Sequence, residues 1–114
     1  MQRILLKSKL HHAVITGASV DYVGSITIPS DLMLQADLWE GEQVLVASST
    51  TGERLTTYVL TGEAGSRRIE MNGAAAKVIS AGETVIIMAF AMSEKEIRPR
   101  ILFMNPDNTV AGTK

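Results

Sequence analysis

Gly24-Ser25, inside the run Asp21-Tyr22-Val23-Gly24-Ser25-Ile26-Thr27-Ile28-Pro29, is a bond that a chain can break by itself. A serine hydroxyl can attack the carbonyl before it and exchange an amide for an ester. Glycine at that carbonyl leaves it unshielded and lets the backbone adopt conformations that other residues resist. If the ester opens by elimination, a ketone-bearing group replaces the serine, and the chain has made its own electrophile. The dipeptide alone is weak evidence, because a second pair, Gly65-Ser66, also occurs and either pair reads equally well as a turn. Other residues offer complementary chemistry. Arg54 has a planar fork that can hold both oxygens of a carboxylate, or it is a surface residue beside a hairpin turn. Tyr58 can donate a phenolic proton, or it is an ordinary strand tyrosine. Lys9 and His11 stand two residues apart, and Asn72-Gly73 precedes three alanines.

The elements that must position these groups are short. Arg3 to Val14 reads as a strand in which Arg3, Lys7, Lys9 and His11 alternate with apolar Ile4, Leu6 and Leu10. Lys9 and His11 then share a face, about 6–7 Å apart, which is also how a solvated strand face looks. His12 is expected to be structural or exposed. Thr16 to Ser19 punctuates the chain, and Tyr22 to Ile28 is extended. Ser30 reads as the cap of a helix running from Leu32 to Leu38. Gln43 to Ala47 and Arg54 to Leu60 form the arms of a hairpin around Thr50-Thr51-Gly52-Glu53. Regular pairing in the second arm places Arg54, Thr56 and Tyr58 on one face and turns Thr57 away, unless the strand is bulged. Arg68 to Met71 is a short strand, Asn72-Gly73 a tight turn, Ala74 to Ile79 a short helix, and Thr84 to Met92 an apolar strand. After a polar connector or single helical turn over Ser93 to Ile97, Ile101 to Met104 is a last strand, and Thr109 to Lys114 a loose tail.

Gly41-Glu42-Gln43-Val44-Leu45-Val46-Ala47 aligns with Gly82-Glu83-Thr84-Val85-Ile86-Ile87-Met88, and each copy follows a helix-like segment. Two copies suit a small barrel of two related halves, which removes exposed sheet edges.

With 114 residues, 46% of them hydrophobic, the chain has the size of one domain with a single modest core. Only Tyr22, Trp39, Tyr58, Phe90 and Phe103 are aromatic, so that core must be aliphatic. A net charge of −1 argues against a general nucleic-acid binder. The absence of cysteine excludes disulfides and thiol catalysis and fits a cytoplasmic protein. The N-terminal apolar run is too short for a signal peptide, and the longest, Val85 to Met92, is far below the roughly 20 residues of a membrane helix, so a soluble protein is expected.

Together, four segments carry a resemblance over nearly the whole chain: Lys9-Leu10-His11, Tyr22-Val23-Gly24-Ser25, Arg54-Leu55-Thr56-Thr57-Tyr58 and Asn72-Gly73-Ala74-Ala75-Ala76. Gly62-Glu63 with Gly65-Ser66, and Pro99-Arg100-Ile101, add to it. In order and spacing the chain resembles the pyruvoyl-dependent aspartate 1-decarboxylases. That resemblance implies a mainly β fold, a small double-psi β-barrel with short helices, assembled as a homotetramer with active sites between subunits. It selects Gly24-Ser25 over Gly65-Ser66 as the processing site, with cleavage after Gly24 into chains 1–24 and 25–114. Two departures stand out: Val23 occupies a position where some members have glutamate, and Ala64 one where arginine is common. Val23 removes acidic help in processing and raises the question of a maturation helper protein.

The activity implied is decarboxylation of L-aspartate to β-alanine and carbon dioxide through a Schiff base, feeding pantothenate and coenzyme A biosynthesis. The only cofactor implied is a covalent pyruvoyl group made from Ser25; neither a metal nor pyridoxal phosphate is expected, and there is no Gly-rich phosphate loop. The resemblance makes Tyr58 the proton donor and Thr57 a hydrogen-bonding aid to self-cleavage. Arg54 and Lys9 become the carboxylate-binding cations. Asn72, Gly73, Ala74 and Ala75 line the pyruvoyl pocket, with His11 and Tyr22 as further pocket residues. Two rivals remain at this level: the same chemistry on another acidic amino acid, and a non-catalytic double-psi barrel serving as a binding or assembly module.

Overall fold

The computed structural model describes residues 1–114. Nine strands form one curved sheet: β1 (Arg3–Val14), β2 (Gly17–Ser19), β3 (Ser25–Pro29), β4 (Gln43–Ser48), β5 (Arg54–Gly62), β6 (Glu70–Asn72), β7 (Thr84–Ser93), β8 (Arg100–Met104) and β9 (Val110–Thr113). Their order in the sheet is β2-β6-β3-β5-β4-β7-β1-β8-β9. One helix, α1 (Ser30–Ala36), and a 3-10 helix over Gly73–Lys77 complete the chain.

The strands are dense in β-branched residues, which suit a pleated, half-buried surface. Alternate residues point inward: Val44 and Val46 from β4, Val59 from β5, Ile26 and Ile28 from β3, and Val85, Ile87 and Ala89 from β7. With α1 contributing Leu32, Met33 and Ala36, they form a cluster of 21 buried residues with no Phe, Tyr or Trp among them. Each fully buried Ile, Leu or Val contributes roughly 1.5–3 kcal/mol, so an aliphatic core suffices for this small barrel.

The internal repeat is visible in the backbone. Gly41 and Gly82 both take left-handed φ, at 83° and 91°. The Gly41 N–H donates to Val59 O at 2.7 Å, while Val59 N–H donates to Glu42 O at 3.1 Å. The Gly82 N–H donates to Ile15 O at 2.7 Å, while Ile15 N–H donates to Glu83 O at 2.9 Å. Each Gly-Glu pair thus brackets a residue of a crossing segment, Val59 in β5 and Ile15 just after β1, and the strands that follow, β4 and β7, pair antiparallel at the centre of the sheet.

Several local expectations are corrected. β1 does not keep one alternation: register shifts at Lys7 and His12 make two bulges against β7. Inward residues are even-numbered at Ser8 and Leu10 but odd-numbered at Ala13 and Ile15, and Ile4 lies outside at 72% exposure. His12 is the exposed bulge residue, with φ of 65°. Pro29, not Ser30, occupies the cap position of α1, and no side chain caps the helix; Ser30 is its first residue. The helix stops at Asp37 in the left-handed conformation (φ 59°), which lets the Leu38 N–H reach Met33 O at 2.8 Å. Asn72-Gly73 is no hairpin turn: Asn72 ends β6 and Gly73 opens the 3-10 helix. The C-terminal tail is ordered, as Val110–Thr113 pairs antiparallel with β8.

Candidate active site

Ser25 begins β3 and is completely buried. Antiparallel pairing sets it opposite Asn72 on β6. Its Oγ donates to Val23 O at 3.2 Å and accepts from Asn72 Nδ2 at 2.9 Å. The same amide nitrogen donates to Thr27 Oγ1 at 2.9 Å. Beside it, Gly73 takes φ of 67°, and a Cβ there would lie 2.6 Å from both Gly24 Cα and Gly24 N and 2.7 Å from Tyr22 O. No side chain fits at Gly73, so two backbones meet at the Gly24–Ser25 bond. Gly24 itself would leave room for a Cβ, whose nearest neighbour would be Asn72 O at 3.9 Å.

The bond lies between two clefts. One, of ≈ 320 Å³, is lined by Gly24, Thr57, Ala74, Ala75 and Val78 among others. The other, of ≈ 400 Å³, is lined by Tyr22, Val23, Thr27, Leu60, Glu70 and Asn72. Tyr22 and Val23 are largely exposed there. A larger hollow, ≈ 470 Å³ around Lys7, Asp37 and Trp39, holds none of the expected site residues. Its ammonium, Lys7, is already matched by Glu42 at 3.0 Å. Expected site residues line the two smaller clefts instead.

β5 runs past Ser25 in parallel with β3. The register begins at Ile26↔Val59, both buried, and extended by one residue it puts Ser25 level with Tyr58. β4 and β5 pair without a bulge, Val44 with Thr57 and Gln43 with Tyr58. Thr57 therefore faces away from Arg54, Thr56 and Tyr58, and both Thr56 and Thr57 border the cleft that Gly24 lines. The sequence left this facing open; the uninterrupted ladder decides it.

Lys9, His11 and Arg54 stand apart from Ser25 within one chain. The ladders align Lys9 with Met88, Met88 with Leu45, and Leu45 with Thr56. Three strand spacings, about 14 Å, thus separate Lys9 from β5. The next row aligns His11, Ile86, Ala47 and Arg54. Arg54 lies four residues before Tyr58 on β5, about 13 Å along the strand. Neither Lys9 nor Arg54 is engaged in an ion pair, in contrast to Lys7, Arg67 and Arg68. His11 stacks on His12 at 3.9 Å and meets Phe103 edge-on at 5.8 Å. Its Nδ1 is buried with no hydrogen-bond partner. Burial of the ring, with the nearby charges of His12 and Lys9, lowers its pKa below the usual histidine value.

Sequence reasoning missed Thr27 and Gly62. A Cβ on Gly62 would lie 2.9 Å from Thr27 Cγ2. The clue in the sequence was positional: Thr27 is two residues after Ser25 and so shares its face on a strand.

A sheet built from two related halves, with the buried Ser25 following a glycine that the Gly73 backbone touches, defines a small β-barrel. Comparison with known proteins gives the class its name. The aspartate decarboxylase family model matches residues 1–111. Aspartate 1-decarboxylase 1 of Frankia casuarinae is 52% identical over 110 residues, covering 93% of this chain and 71% of that protein. Aspartate 1-decarboxylase of a Thermotoga species is 45% identical over 114 residues, the full length of both. The chain belongs to the aspartate decarboxylase family, and its barrel is the double-psi β-barrel of that family. Membership makes it a carboxy-lyase and implies a pyruvoyl enzyme. No helix is long and apolar enough to cross a membrane.

Position 25 fits such a group. Gly73 has no side chain and so lets its backbone approach Gly24 closely, and the Asn72 amide lies within hydrogen-bond distance of the Ser25 side chain.

Proposed function

We propose that this chain cleaves itself after Gly24, converts Ser25 into a pyruvoyl group, and then decarboxylates L-aspartate to β-alanine and carbon dioxide, the first step toward pantothenate and coenzyme A. The observation that carries this reading is a buried serine that accepts a hydrogen bond from Asn72 and follows a glycine in close backbone contact with Gly73.

Self-cleavage begins when Ser25 Oγ bonds to the Gly24 carbonyl carbon and the C–N bond breaks, the hydroxyl proton passing to the Ser25 nitrogen. Thr57, which shares the cleft with Gly24, donates to the oxyanion. Loss of the Cα proton to water then breaks Cβ–Oγ and releases Gly24 as a carboxylate. Water replaces the nitrogen, which leaves as ammonia, and a ketone remains. The resulting pyruvoyl group supplies a carbonyl that binds the substrate amine and takes up the electrons freed with carbon dioxide.

The remaining residues bind and move protons. Arg54 clamps a carboxylate through two parallel hydrogen bonds. Lys9 adds positive charge for the dianionic substrate, so that binding remote from the scissile bond orients it. Tyr58 returns a proton to the α-carbon. Asn72, Gly73, Ala74 and Ala75 form the wall around position 25, with His11 and Tyr22 at its margin. Because Lys9 and Arg54 lie more than a side chain's length from Ser25 in one chain, a second copy brings them to it. We take the assembly to be a homotetramer with sites between subunits, which light scattering tests. We place the protein in the cytoplasm, and cleavage followed with and without added cell extract tests for a maturation helper protein.

The decisive assay compares β-alanine formation from L-aspartate by wild type and Ser25→Ala, with L-glutamate as competing substrate. Wild type should turn over aspartate in preference, and the variant should be inert. Function retained by Ser25→Ala would instead favour a non-catalytic barrel.

A further inference from the structure

Asn72 can reach Ser25 in two ways, and only one presents a donor. If its carboxamide were rotated by half a turn, the carbonyl oxygen would face Ser25 Oγ and compete with Val23 O for the serine proton. As placed, the nitrogen uses its two hydrogens on two oxygens: Ser25 Oγ at 2.9 Å and Thr27 Oγ1 at 2.9 Å. A carboxamide has two donors on nitrogen and none on oxygen. Ser25 spends its own proton on Val23 O and so presents Oγ as an acceptor, while Thr27 Oγ1, two residues on along the same strand, takes the second amide hydrogen.

Thr27 is itself held in place. It is half-buried on β3, paired with Glu70 on one side and Leu60 on the other. Its methyl occupies the space over Gly62, where any side chain would intrude: a Cβ there would lie 2.9 Å from Thr27 Cγ2 and 3.3 Å from Ile28 O. Gly62 does not have left-handed φ. Conformational need thus does not account for glycine at this position, whereas room for the Thr27 methyl does. With the methyl seated over Gly62, the hydroxyl is directed to Asn72.

We propose that Thr27, seated by Gly62, is a positioning residue for self-cleavage: it orients the Asn72 amide so that its N–H faces Ser25 Oγ. This rests on the self-processing reading above. The N–H stabilises negative charge on Oγ twice, as the oxygen attacks Gly24 and as it departs from Cβ. The bonds made and broken are those already described, and Thr27 adds no proton or atom to them.

The test follows newly made chain from cell-free synthesis and measures the rate at which fragment 25–114 appears, by gel and intact mass. Thr27→Val keeps the shape and removes the acceptor; loss of one such hydrogen bond should slow cleavage about fivefold to tenfold. Thr27→Ser keeps the hydroxyl and should recover most of that loss. Gly62→Ala, which displaces the methyl without touching the hydroxyl, should slow cleavage in the same direction. Circular dichroism of each variant in a Ser25→Ala background establishes that all are folded. Folded Thr27→Val that cleaves as fast as wild type overturns the proposal, as does slowing by Thr27→Ser equal to that by Thr27→Val. Failure of the self-processing reading looks different: wild type itself never yields fragment 25–114.

Discussion

Gly73→Ala is the substitution the structure most clearly forbids. The residue takes φ of 67°, and a left-handed backbone costs an alanine about 1–2 kcal/mol. The added Cβ would sit 2.6 Å from Gly24 N and Cα and 2.7 Å from Tyr22 O, all backbone atoms that cannot rotate away. Overpacking of this kind adds about 1–3 kcal/mol. The two effects together predict a loss of about 2–5 kcal/mol, or roughly 8–20 °C in melting temperature for a domain of this size. Gly24→Ala is the matched control, because a Cβ there would meet nothing closer than Asn72 O at 3.9 Å and the residue does not have left-handed φ. Both are best made in a Ser25→Ala background, so that cleavage does not blur the comparison, and melted with circular dichroism detection. Gly73→Ala should melt far below Gly24→Ala. Two variants melting within about 2 °C of each other would refute the argument that backbone contact at this bond excludes a side chain.

Three further outcomes are expected. Tyr58→Phe should lower kcat by about a hundredfold or more with little change in KM, since it removes the proton donor and leaves the carboxylate clamp; steady-state kinetics on aspartate check this. Arg54→Lys, which keeps the charge and loses the fork, should raise KM about tenfold. His11 has its pKa lowered in the folded state, first by burial, so the unfolded chain takes up a proton that the folded chain refuses. The stability associated with it is fully present above the ordinary histidine value of about 6.5 and is lost as pH falls from there through the lowered folded value. Urea unfolding at pH 7 and pH 5 should show a smaller acid-side loss in His11→Gln than in wild type.

Much of this was legible in the residues, and the exceptions have physical causes. The repeat at Gly41 and Gly82 was readable because a left-handed turn demands glycine and the strand after it demands alternating aliphatics. β1 was not readable in detail, because a bulge changes the inward parity without changing composition; His12 carries no signal that it is the extra residue. Asn72-Gly73 has the chemistry of a hairpin turn, yet Gly73 is glycine because the Gly24 backbone touches it, a contact between residues far apart in sequence. The tail from Thr109 is short and polar, and only the free edge of β8 gives it a partner. Within the candidate site, Ser25, Thr57 and Tyr58 could be named through the family resemblance that the order and spacing of the segments carry. The distance from Lys9 to β5, and the help that Thr27 gives Asn72, depend on strand order and register, which local pattern does not contain.

The central claim is that the bond after Gly24 breaks and that Ser25 becomes the electrophile. Intact mass of the purified protein addresses it directly. Wild type should separate into chains 1–24 and 25–114, the larger lighter by one ammonia than plain hydrolysis would leave it, while Ser25→Ala remains whole. A wild-type chain that stays uncut after prolonged warming, or a larger fragment with an intact N-terminal serine, would contradict the account.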